Sequence, residues 1–118
     1  MAELRVVRCT DAFDDACRFY GELLGWPVTK RWDEPERGCI FGYGESARVE
    51  LLEVGTAGGV EGIFLSVEVD DVDALHDRLV AAGVAVHQPL ADQPWGHRSF
   101  GITDPTGTVL VCFQDLAG

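Results

Sequence analysis

Hydrophobic positions along the chain switch between two spacings, and the order of the switches repeats. Glu3 to Cys9 (ELRVVRC) alternates, with Leu4 and Val6 on one face and Arg5, Val7 and Cys9 on the other, which predicts a strand. The next apolar residues, Phe13, Ala16, Tyr20, Leu23 and Leu24, step by three and four, predicting a helix with one buried stripe. Thr10 or Asp11 can cap it, Gly25 stops it and Pro27 prevents its continuation. Strands are predicted over Val28–Trp32, Cys39–Tyr43 and Arg48–Glu53, separated by polar or glycine-containing linkers.

Gly55 to Gly62 (GTAGGVEG) is rich in glycine and opens no helix, so it reads as a linker rather than a phosphate loop. After it the order returns. Ile63–Val69 is a predicted strand, and Asp70 or Asp71 caps a helix with the stripe Val72, Leu75, Leu79 and Ala82, ended by Gly83. Predicted strands follow at Val84–Gln88, His97–Thr103 and Thr108–Phe113, the last two joined by the turn Asp104-Pro105-Thr106-Gly107. The chain is two copies of β-α-β-β-β: residues 1–54, the linker 55–62, and residues 63–118.

Composition narrows the function. A length of 118 residues suits one domain, and 47% hydrophobic with 25% charged residues is ordinary for a globular protein. The net charge of −11 argues against nucleic acid and against an anionic membrane surface as partners. No apolar run reaches the ~20 residues of a membrane helix, and the first residues lack the apolar core of a signal peptide, so a cytoplasmic location is expected. Cys9, Cys17, Cys39 and Cys112 form no C-x-x-C pair and read as buried thiols. Lys30 is the sole lysine, which leaves little scope for Schiff-base chemistry.

Phe19-Tyr20 with Leu23-Leu24-Gly25, then Val69-Asp70-Asp71-Val72, Gly83, Trp95-Gly96 and Asp104-Pro105-Thr106-Gly107 occur in an order that resembles the vicinal oxygen chelate superfamily. That superfamily includes glyoxalase I, extradiol dioxygenases and bleomycin-resistance proteins. The resemblance covers nearly the whole chain and implies an α+β fold. Each βαβββ module would form a curved sheet in the order first, fourth, third, second, with helices on the convex face and a ligand in the concave cup. It also implies a homodimer, since such cups are open and their edge strands need covering.

Metal-dependent members of the family hold their ion with His, Gln or Glu on the first and fourth strands of each module. Carried onto this sequence through its internal repeat, those positions fall on Arg5, Glu50, Phe64 and Val111, with Val7 as the alternative on the first strand. Only Glu50 among them can bind a metal, whereas a stable site needs about three protein ligands. No metal and no other cofactor is therefore expected. Arg5 can instead pair with Glu50.

Strand alternation places Arg5, Val7, Glu50, Phe64, Val111 and Phe113 in the cup, with Ser66 and Val109, and puts Trp32, Phe41, Tyr43 and Trp95 at its rim. His97 stands at a loop edge, in reach of a ligand. The expectation is a metal-independent binding protein, similar to bleomycin-resistance proteins, that sequesters a planar aromatic or drug-like ligand, for which the acidic surface favours a cation. The alternative is an enzyme of the same fold, a lyase, isomerase or dioxygenase, using a nonstandard metal site such as Glu50 with His97, or Glu50 as general base.

Overall fold

The computed structural model describes residues 3–55 and 63–116. Apart from Gly55, the predicted linker lies outside the described residues. The chain divides into two compact units, Met1–Gly59 and Val60–Gly118.

In the first unit β1 (Leu4–Cys9) leads to α1 (Phe13–Arg18) and a π-helical turn (Phe19–Leu23), then β2 (Val28–Trp32), β3 (Gly38–Tyr43) and β4 (Ala47–Leu52). The second unit holds β5 (Phe64–Glu68), α2 (Val72–Ala81), β6 (Val86–Asp92), β7 (His97–Thr103) and β8 (Val109–Asp115). The sheets run β1-β4-β3-β2 and β5-β8-β7-β6, as the resemblance implies. In each the first and fourth strands of the unit are parallel and the remaining pairs antiparallel. The class is α+β. No described helix is long and apolar enough to cross a membrane.

Each helix covers one face of its own sheet. Leu24 N donates to Phe19 O at 2.9 Å across five residues, and this wider turn brings Phe19 and Leu24 into the core with Phe13, Ala16 and Tyr20. Leu23, expected in that stripe, is only half-buried because the π turn rotates it away. The Tyr20 ring packs on Trp26 at 5.2 Å and on Phe41 at 5.9 Å. In the second unit Asp71 caps α2 by accepting from Ala74 N at 3.0 Å, while the Gln114 side chain accepts from Val72 N. Val72 and Leu79 are buried against Phe100, Ile102, Leu110 and Cys112 on the sheet, whereas Ala82, just past the helix end, is exposed.

Two other expectations are corrected. The strand predicted over Val84–Gln88 lies at Val86–Asp92 and runs through Pro89 with two register shifts, which its outermost place in the sheet allows. The cysteines are not all buried. Cys39 and Cys112 are, Cys17 is half-buried, and Cys9 is exposed on the open side of β1. Burial pushes the Cys112 thiol up to about 12 and the Cys17 thiol up to about 11.

The closing turn is organised by Asp104. Its Oδ1 accepts from Thr106 N at 2.8 Å, Thr106 Oγ1 at 2.7 Å and Thr108 N at 2.8 Å, and Gly107 N returns to Asp104 O. Gly107 adopts φ +92°, the left-handed region that favours glycine. This turn sets β8 in register with β7.

Candidate functional site

Residues paired directly across strands share a face, so the register decides what the uncovered face of each sheet presents. In the second unit Phe64 pairs with Val109 and Ser66 with Val111, while Val111 pairs with Gly101 and Phe113 with Ser99. This face carries a cavity of about 440 Å³. Phe64 and Ser66 come from β5, Val109, Val111 and Phe113 from β8, His97 and Ser99 from β7, Gln88 from β6, and Trp95 from the loop before β7. Among the described residues the lining includes no carboxylate, lysine or arginine.

Local geometry prepares the aromatic part of this lining. The His97 and Phe113 rings stack with centroids 4.3 Å apart and planes 15° from parallel. Trp95 is 66% exposed, yet its loop is anchored. Gln93 N donates to His97 O, Gly96 N to Gln93 O, and Leu116 N to Gly96 O. Gly96 makes this possible with φ +95°. The close approach of Gln88 depends on Gly101, where a Cβ would lie 2.9 Å from the Gln88 Cβ. Ser99 is 1% exposed, and its Oγ has no hydrogen-bond partner among the described residues.

The same face of the first unit has a different character. Arg5 Nη1 donates to Glu50 Oε1 at 2.9 Å and Arg5 Nε to Glu3 Oε2 at 3.1 Å, while Arg48 Nε lies 3.6 Å from that Glu3 oxygen. The hydrogen bonds to Glu3 and Glu50 push the Arg5 guanidinium above its ordinary value. Trp32 lies on Gly38, where a Cβ would stand 2.1 Å from the indole. By register, Trp32 over Gly38 corresponds to Ala91 beside Ser99. An indole covers the first face where a methyl group leaves the second open.

The sequence-predicted residues therefore separate. Phe64, Trp95, His97, Val111 and Phe113 line one cavity. Arg5 and Glu50 form an ion pair, with Val7 beside Glu50 in the register. Trp32 belongs to the first unit's face, but Phe41 does not reach it. Phe41 pairs with Val49, is 1% exposed and packs beneath the helical segment, as does Tyr43 against Trp26. The expected rim place for Phe41 is corrected, because five consecutive apolar or glycine residues in β3 conceal the alternation. Glu50 lies among charged groups, with the Arg5 guanidinium on its carboxylate.

The family's metal does not fit these residues. The register sets Val7 beside Glu50 and Ser66 beside Val111, so Glu50 is the one metal-binding side chain among these four and Arg5 engages it. Among the described residues no three His, Cys, Asp or Glu side chains are grouped to hold an ion. Sequence reasoning missed Gln88 and Ser99. Parity along β7 from His97 marks Ser99, whereas the bulges of β6 hide Gln88.

Duplicated βαβββ sheets, one bearing a cavity on its uncovered face, define the class. The family model described as "Glyoxalase/Bleomycin resistance protein/Dioxygenase superfamily" matches residues 4–112, and the chain belongs to that superfamily. It is 32% identical over 105 residues to the protein named "Putative glyoxylase CFP32" of Mycobacterium tuberculosis, a match covering 84% of this chain and 40% of that protein. The chain thus spans about two-fifths of the length of the curated relatives it matches. Among solved structures it is similar to TnmS3, an antibiotic binding protein from Streptomyces sp. CB03234, with TM-score 0.79 and 25% identity over 96% of this chain and 94% of that one. TioX from Micromonospora sp. ML1 superposes with TM-score 0.78 and 25% identity over 97% and 98%.

Proposed function

We propose that this protein is a metal-independent binding protein that sequesters a planar aromatic, drug-like molecule on the open face of its second unit. The observation that carries this reading is the cavity of about 440 Å³ with the stacked His97–Phe113 pair and the exposed Trp95 around it. That size and a largely apolar lining with few polar groups are typical of sites for small organic ligands. Flat rings gain from stacking on such side chains beyond the area they bury. The similarity to an antibiotic binding protein supports a drug-like ligand. Against the enzymatic alternative stands Glu50, whose carboxylate is tied to Arg5 among other charges. The homodimer belongs to this reading as well, supported by the exposure of Leu4 on edge strand β1 and Phe64 on edge strand β5.

The test is equilibrium dialysis of the purified protein against a panel of planar aromatic compounds, with and without a metal chelator, followed by chromatography of the recovered ligand. The expected result is saturable binding that the chelator leaves unchanged, with the ligand recovered intact. Loss of binding on chelation, or conversion of the ligand, overturns it. Sedimentation equilibrium tests the dimer.

A further inference from the structure

The ligand's chemistry can be narrowed from Ser99, an inference that rests on the binding role just proposed. Ser99 lines the cavity, is 1% exposed, and its Oγ has no hydrogen-bond partner among the described residues. A buried hydroxyl left unpaired is costly, and an acceptor oxygen on a bound molecule would satisfy it. Gln88 and Ser66 line the same cavity and are uncharged. A buried ionic ligand would need a counter-charge, and among the described residues the lining contains no carboxylate, lysine or arginine.

We propose that the site selects an uncharged planar aromatic molecule carrying an acceptor oxygen at its ring edge, such as an aryl ketone, with Ser99 donating to that oxygen as the specificity-determining contact. The ring meets the Trp95, His97 and Phe113 side chains and the carbonyl turns towards β7. The acidic net charge of −11 then acts on the molecule's surroundings and not through the cavity itself.

Three flat tricyclic probes separate the possibilities: 9-fluorenone, fluorene, which lacks the carbonyl, and the cation proflavine. Equilibrium dialysis is run on the full chain and on Ser99→Ala, with urea unfolding of both as a check on folding. The native protein is expected to bind fluorenone more tightly than the other two. Ser99→Ala is expected to weaken fluorenone about tenfold, the effect of one lost hydrogen bond, and to leave fluorene unchanged. Ser99→Thr, which keeps the hydroxyl, retains more of the fluorenone affinity than Ser99→Ala. If fluorenone and fluorene bind but Ser99→Ala affects both alike or neither, the Ser99 contact is wrong while the binding role stands. Tighter binding of proflavine overturns the uncharged class. Binding of none of the three overturns this inference together with the reading beneath it.

Discussion

Arg37 and Arg98 hold equivalent places in the two units, and each ties its sheet to the second residue of its helix. Arg37 bonds both carboxylate oxygens of Asp14 at 3.0 and 3.1 Å, and Arg98 bonds Asp73 Oδ1 at 3.0 Å. Each takes a second acidic partner, Glu53 for Arg37 and Asp92 for Arg98, and Arg37 also lies 4.8 Å over the Phe13 ring. The duplicated pattern therefore extends to a duplicated ion pair, set one residue before Gly38 in one unit and before Ser99 in the other.

This pairing gives the fold an acid-sensitive component. Hydrogen bonding from Arg37 is the first cause holding both Asp14 and Glu53 below the ordinary carboxylate range. Their folded-state values are depressed, so the stabilisation is present above the unfolded values, about 4, and is lost as pH falls through the folded ones. Arg37→Gln is expected to melt at a lower temperature than the native protein at neutral pH. The gap should narrow on acidification towards about pH 2, well below unperturbed carboxylate values. An equal gap at both pH values would show that the side chain acts through packing on Phe13 alone.

Trp95→Ala separates binding from folding. The side chain is 66% exposed, so its loss should change stability by less than about 0.5 kcal/mol. Affinity for a bound planar aromatic should fall about tenfold, from lost stacking and contact area. Dialysis and a urea melt on the same sample read both effects. Unchanged affinity would remove Trp95 from the site.

Phe41→Ala is the converse. The ring is buried beneath the helical segment against Tyr20 and beside Gly21, and its loss should cost about 3–5 kcal/mol by creating a cavity. The folded variant should bind as the native protein does. Weakened binding with stability intact would return Phe41 to the ligand side.

Exchanging the cover of the two sheets tests why one face is open. The double replacement Ala91→Trp with Ser99→Gly copies the Trp32–Gly38 arrangement onto β6 and β7. It should fill the cavity and abolish ligand binding while the chain still unfolds cooperatively. Retained affinity would mean that the indole in the first unit is not what closes that face.

Thiol chemistry reports the burial of the sheet cores. With burial pushing Cys17 up to about 11 and Cys112 up to about 12, little thiolate exists at either near pH 8. Brief treatment with iodoacetamide at that pH should alkylate the exposed Cys9 first, as mass spectrometry of the digest would show. Labelling of Cys112 at a comparable rate would contradict its place in the core.

The amino-acid pattern determined the duplicated βαβββ order, most strand positions and the buried helix residues Phe13, Ala16, Val72 and Leu79, because alternation and three–four spacing are local properties of the chain. It also placed Phe64, Val111 and Phe113 on one face, since period-two strands leave no choice once one residue is assigned. Tertiary structure decided the rest. The π turn left Leu23 half-buried while Leu24 kept its expected place in the core, and the edge position of β6 let a proline-containing strand slip towards Asp92. Packing against Tyr20 turned Phe41 inward, a choice hidden by a strand that is buried on both faces. Whether a face is closed or open depended on what stood across from Gly38 and Ser99, and such pairing is set by register between strands that are distant in sequence. The Ser99 hydroxyl, without a hydrogen-bond partner among the described residues, exists only at that level, because pairing is a property of the assembled neighbourhood.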